Sequence, residues 1–188
     1  MRTPEPVILS NEHVRLEPMA DRHVSDLLVA AADPQVWRWL PIPQPHSENE
    51  LRDLIRTHPG LPWAVTHGGR AVGSTSYLDV DRTVEGLEIG WTWYRRDLWA
   101  SQVNPACKLL LLGHAFETLG AARVSLKTDA LNTRSRSAIK RLGATYDGTL
   151  RHHRRRPDGT VRDTAFFSLL ADEWPRARDQ LEQRLRSV

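Results

Sequence analysis

The chain has a single cysteine in 188 residues. Cys107 therefore has no partner for an intrachain disulfide and suits a small, buried apolar role. No cluster of cysteine and histidine has the spacing of metal ligands, so no metal is expected. Long hydrophobic runs are missing too: nothing approaches the roughly 18 apolar residues that cross a bilayer, which excludes a membrane-spanning helix. The opening MRTPEPVILS lacks a signal-peptide pattern, and a cytoplasmic location is the default expectation. Charge of one sign is barely in excess, with 26 basic residues against 23 acidic ones and a net charge of +3. That balance makes nucleic acid an unexpected partner. Nothing reads as a linker or an internal repeat, and the length suits one α/β domain over residues 1–188.

What the chain does have is concentrated in residues 88–143, EIGWTWYRRDLWASQVNPACKLLLLGHAFETLGAARVSLKTDALNTRSRSAIKRLG. Aromatic and β-branched residues over 88–94 favour a strand. A polar loop then leads to Pro105, suited to the first turn of a helix because its missing N–H would be unpaired there anyway. Leu109, Leu112, Phe116 and Leu119 form an apolar stripe on a helix that ends near Gly120. Its opening N–H groups offer a binding place for phosphate. Residues 123–127 alternate as a second strand, and Asn132 is suited to cap a helix that carries Ser135, Ala138, Ile139 and Leu142 and stops at Gly143.

Elsewhere, residues 7–18 read as an opening strand, and helices are expected after Asp21 and after Ser47, where Ser47 and Glu50 form a capping box. Strands are expected over 62–67 and 71–79 around a Gly68-Gly69 turn. Residues 151–162, RHHRRRPDGTVR, look like two strands joined by a Pro-Asp-Gly turn, followed by an apolar strand over 161–170 and a final helix holding Leu181 and Leu185.

The EIGWTW strand, the loop and helix over 99–108, the LKTDALNTRS segment with AIKRLGA, and the RPDGTVRDT hairpin together resemble the GNAT superfamily of acetyl-coenzyme A dependent N-acetyltransferases. Within it they resemble the Rim-type branch, named for ribosomal-protein N-terminal acetyltransferases. The resemblance spans nearly the whole chain. It implies an α/β (α+β) fold with one mixed, mostly antiparallel, centrally splayed sheet of about seven strands flanked by helices. It also implies acetyl-coenzyme A as co-substrate and, as acceptor, a primary amine on a protein N-terminus or a small molecule. A homodimer is conceivable.

By the same resemblance, backbone groups near Trp93 and Tyr94 would hold the pantetheine arm. The N–H groups of Ser101, Gln102, Val103 and Asn104 would receive the pyrophosphate. Gln102 departs from the family, which has glycine there; its loss would matter if the loop needs positive φ or close backbone approach to phosphate. A coenzyme-binding protein that has lost activity is the alternative this suggests. Asn132 would contact the coenzyme arm, or simply cap its helix. Ser135 would hydrogen-bond or protonate the departing thiolate, because the tyrosine many relatives use one turn on is Ile139 here.

An amine must lose its proton before it attacks, and Glu88 is the leading base candidate, acting directly or through water. Its alternative is a structural pairing with an arginine. His152 and His153 come second; neighbours on a strand face opposite ways, so at most one reaches the site, with His153 the candidate for the substrate pocket. Trp37, Trp39 and Trp91 are the candidates to shape the acceptor pocket, or else belong to the core.

Overall fold

A computed structural model of the chain describes residues 1–186, so the single-domain expectation over 1–188 reaches slightly beyond the described residues. Where one opening strand was expected there are two, β1 (Leu9–Ser10) and β2 (Arg15–Pro18). The break has a local cause: Asn11 Oδ1 accepts hydrogen bonds from the N–H groups of His13 and Val14, at 3.1 and 3.0 Å, and folds the chain back on itself. Helices α1 (Val24–Ala30) and α2 (Glu48–Arg56) follow. Ser47 caps α2 as its sequence implies, accepting from the N–H of Glu50 at 3.2 Å.

Strands β3 (Leu61–His67), β4 (Arg70–Asp81) and β5 (Gly86–Tyr94) then form a meander. Helix α3 (Val103–Gly113) runs into a π-helical turn over His114–Thr118. The remaining elements are β6 (Arg123–Asp129), α4 (Thr133–Lys140), β7 (Thr145–Arg155), β8 (Val161–Leu170) and α5 (Trp174–Arg186). All eight strands form one sheet in the order β1-β2-β3-β4-β5-β6-β8-β7. The extra strand over the expected seven is the β1–β2 split.

Side chains of neighbouring strand residues alternate between the two faces of the sheet, and each face has its own core. Trp63, Tyr77, Leu111, Leu112 and Phe167 belong to one cluster with α3 and α5. Leu27, Leu51, Ala64 and Trp93 belong to the other, with α1 and α2. Tyr77 ties the first cluster to its helix through a hydrogen bond from its hydroxyl to the Leu111 carbonyl. Each fully buried leucine here stabilises the fold by about 1.5–3 kcal/mol.

One pairing in the sheet differs from all others. β5 and β6 run parallel and stay in register for only three pairs, Gly86↔Arg123, Leu87↔Val124 and Glu88↔Ser125. Beyond Glu88 the two strands part. Backbone groups that would have bonded across the gap face an open cleft.

Candidate active site

Two irregularities in β5 and β4 bracket Glu88. Between the pairs Ser74↔Trp93 and Ser76↔Gly90, Thr75 alone faces Trp91 and Thr92, a bulge in which Trp91 takes φ 48. Between Leu78↔Glu88 and Asp81↔Gly86 the extra residue lies in β4, and Asp79 takes φ 47. Bulges re-aim side chains beside sites, and a bulky residue at positive φ is an outlier the surrounding structure must hold. Gly90 fits this crowding: a Cβ there would stand 2.6 Å from Glu88 Oε1 and 2.7 Å from a Leu78 methyl.

The cleft has a volume of about 670 Å³ and extends from the parted strands to the mouth of α3 and α4. Glu88 lies in its wall, only 6% exposed. Its carboxylate stands 2.6 Å from Lys127 Nζ, which also donates to Asp79 Oδ2 at 2.7 Å. Burial raises the Glu88 carboxyl above its usual range, and although Lys127 opposes this, the Asp79 charge adds to it. Asp79 shifts the other way, held down by its hydrogen bond from Lys127. The two carboxyls are thus pushed apart around one ammonium. Glu88 is thus paired with a lysine, where sequence reasoning had weighed an arginine.

Sequence reasoning missed Asp79 and Lys127. Lys127 reads as an ordinary polar position in an alternating strand, and the positive φ of Asp79 depends on strand register, which local sequence does not encode. It also missed Lys108, in α3, which is 5% exposed and lines the same cleft. Lys108 Nζ donates to Thr92 Oγ1 at 3.0 Å, and Thr92 Oγ1 lies 2.8 Å from Thr75 Oγ1. Burial lowers its pKa to about 8, and the charge of Glu88 opposes this only in part. A lysine set three and four residues before Leu111 and Leu112, on the stripe that packs inward, was the available signal.

On the coenzyme side, Asn132 caps α4 by accepting from the Ser135 N–H at 3.1 Å, and both residues line the cleft. The Tyr94 hydroxyl donates to Asn104 Oδ1 at 3.2 Å, and burial pushes its pKa well up. Trp93 and Ser101 line the cleft as well; Gln102 and Val103 do not. Gln102 has φ −73, a right-handed conformation open to any residue, and its Nε2 donates to the Leu185 carbonyl at 3.0 Å. The positive φ of the loop falls on Ala100, at 63. Gln102 therefore imposes no conformational penalty here. The N–H groups of Ser101 and Val103 are already bonded, to the Leu98 carbonyl and to Ser101 Oγ.

Beside this loop Trp99 carries a guanidinium on its ring from each of two arginines, Arg134 at 3.1 Å and Arg96 at 4.0 Å from the centroid. Both arginines line the cleft and were not anticipated. They supply positive charge where phosphates were expected to lie.

Of the tryptophans proposed for the acceptor pocket, Trp39 and Trp91 line the cleft. Trp37 does not: it is buried against Trp93, centroid to centroid 5.0 Å, and its Nε1 donates to the Ala31 carbonyl. It backs the wall from the α1–α2 core. His153 reaches the cleft, while His152 takes φ 56 and is exposed. The His153 ring lies 5.4 Å from Phe166, and its Nδ1 is buried without a hydrogen-bond partner.

A mixed sheet parted beside a buried carboxylate, with a capped helix at the mouth, is the arrangement of an acyltransferase. The acetyltransferase (GNAT) domain family matches residues 13–145, and the chain belongs to that family. It is similar to YdaF of Bacillus subtilis (strain 168), provisionally named a ribosomal N-acetyltransferase, at 26% identity over 87% of this chain and 94% of that one. A crystal structure from T. thermophilus, provisionally named an acetyltransferase, is 37% identical, with a TM-score of 0.89 over 97% of this chain and 99% of that one. RimJ of Mycobacterium smegmatis, solved in complex with CoA-disulfide, shares the fold at 21% identity, with a TM-score of 0.83 over 98% and 97% of the two chains. The similarity to YdaF supports the resemblance to the Rim-type branch. No helix among the described residues is long and apolar enough to cross a membrane.

Proposed function

We propose that this enzyme transfers an acetyl group from acetyl-coenzyme A to the α-amine at a protein N-terminus. The observation that carries the reading is the parting of β5 from β6 immediately past the Glu88↔Ser125 pair, which puts unpaired strand backbone and a buried carboxylate in one cleft. RimJ, which shares this fold, is named as a complex of coenzyme A disulfide, and the name of YdaF points to ribosomal protein as acceptor.

The residues fit the coenzyme by their chemistry. Arg96 and Arg134 supply cations near the start of α3, and the helix N-terminus adds its dipole. When bound, the coenzyme supplies the acetyl thioester. Strand backbone at Trp93 and Tyr94 would orient its arm, and Asn132 would hold the arm from α4. Glu88 takes the proton from the attacking amine: an α-amine, with pKa roughly 7.7–8, is partly neutral at physiological pH and needs only a modest base. The raised pKa of Glu88 brings it nearer the working pH than a free carboxylate, which is where a general base is most effective. Lys127 holds that carboxylate in place, and the Ser135 hydroxyl donates to the thiolate as it leaves. An acceptor made of chain backbone suits the open side of the cleft between Trp39 and His153.

The test is to incubate purified enzyme with acetyl-coenzyme A and peptides with free or blocked N-termini, reading thiol release and the acetylated atom by mass spectrometry. Free-terminus peptides acetylated at the α-amine are the expected result. Turnover confined to small amines, or coenzyme binding with no turnover on any amine, overturns it.

A further inference from the structure

Arg154 and Arg162 stand directly opposite each other across β7 and β8, and both line the cleft. Like charges in that position repel. A neighbouring hairpin arginine avoids the problem: Arg156 pairs with Asp129 at 2.8 Å. Among the described residues neither Arg154 nor Arg162 has a carboxylate within ion-pair distance. The hairpin acids are committed elsewhere, Asp158 to the turn at Thr160 and Asp163 to the His152 N–H.

Arg162 is half-buried and reaches only neutral oxygens, Thr164 Oγ1 at 3.1 Å and the Trp39 carbonyl at 3.5 Å. Burial lowers its pKa, because a desolvated cation is costly, and the more distant charge of Asp129 opposes this only in part. Beside it lies the unpartnered Nδ1 of His153. This wall thus holds two cations outside any ion pair and one unused polar atom.

The wall faces the same space as Glu88 and Asp79. Arg162 feels the charge of Glu88, and Arg154 that of Asp79. The coenzyme has separate cations for its phosphates, Arg96 and Arg134 on Trp99. An acceptor whose amine approaches Glu88 therefore presents its next few atoms to the paired arginines. Each extended residue spans about 3.3–3.6 Å, so the first side chains of a peptide lie within their reach.

We infer that Arg154 and Arg162, with Trp39 and His153 beside them, form a subsite for a carboxylate carried by the acceptor, so that the preferred substrate is a protein N-terminus with an acidic residue among its first three positions. This rests on the acetyl-transfer reading above.

The test compares matched peptides that carry Asp or Asn at position one, two or three, by kcat/KM from thiol release. The wild-type enzyme should prefer Asp at one position by about ten- to hundredfold, the range of a hydrogen bond to a charged group. In R162Q and R154Q that ratio should collapse toward one, and in the doubly reversed R154E/R162E enzyme a Lys peptide should overtake the Asp peptide. Equal rates for wild type on Asp and Asn peptides at all three positions overturn the inference and leave the acetyl-transfer reading standing. No thiol release with any of the peptides overturns both. Salt-sensitive binding of single-stranded RNA that both variants lose, without any peptide preference, reassigns the arginines to RNA.

Discussion

Two lysines meet β5 in one cleft, Lys127 of β6 at Glu88 and Lys108 of α3 at Thr92, and their pKa values have moved in opposite directions. At Glu88, Lys127 lies between two carboxylates; burial alone would lower its pKa, yet Asp79 and Glu88 together raise it. At Thr92, Lys108 is at least as well shielded from water, has a threonine hydroxyl in place of a carboxylate, and falls to about 8. Partner chemistry decides the outcome, because desolvation works against the ammonium in both cases. One place is built to hold charge firmly beside Glu88. The other keeps a cation that is close to giving up its proton.

The largest effect should come from removing the proposed base, Glu88, at the first place. Glu88→Gln is expected to lower kcat/KM by about 10²–10⁴-fold, the usual contribution of a general base. It should also abolish the acidic limb of the pH-rate profile. That limb belongs above 4.5, since Glu88 must be ionised to act and its pKa is raised. A profile left unchanged by this substitution would transfer the role to another group or to solvent.

Lys108 sharpens the contrast through stability. Its folded pKa of about 8 lies below the 10.5 of the unfolded chain. Below about pH 8 both states hold the proton and the full cost of burying the ammonium is present, about 3 kcal/mol. Between 8 and 10.5 the unfolded chain keeps a proton that the folded one has released, so stability rises with pH and then levels. Lys108→Met should raise the denaturation midpoint at pH 7 and flatten that rise, measured by urea unfolding across the range. A parallel rise in both proteins would mean that the ammonium is solvated in the folded state.

Ser135→Ala comes next, with kcat lowered about ten- to hundredfold and coenzyme affinity, read by calorimetry, nearly constant. An equal loss in affinity would make the serine a binding group. Lys127→Met has the subtlest readout: without the ammonium between them, Asp79 and Glu88 repel, and the acidic limb should move to higher pH. A limb that stays put would show that Lys127 does not tune the base.

The sequence disclosed what local patterns control. Alternation marked the strands, Asn132 and Ser47 announced their helices, and the order of motifs led to Glu88, Asn132 and Ser135, all of which line the cleft. What it hid depends on register. Asp79 meets Lys127 because β4 gains a residue against β5, and Trp91 turns because β5 gains one against β4. Trp37 and Trp39 could not be told apart in a proline-stiffened loop, and only packing sends one into the core and the other to the cleft. At Gln102 the family pattern names a residue type, whereas the loop's positive φ falls two residues earlier, on Ala100.

The outer strand β7 has a consequence for how copies of the protein meet. It runs from Thr145 to Arg155, is bonded on one side only, and is largely exposed, while the opposite border of the sheet is the two-residue β1. A strand of that length with a free side is a template for another chain. Arg151, Arg154 and Arg155 lie along it, so a second copy approaching edge to edge would bring guanidinium against guanidinium. The hairpin that walls the cleft thereby also discourages the sheet from growing, and the colloidal behaviour of the enzyme and its choice of substrate come to depend on the same few positive charges.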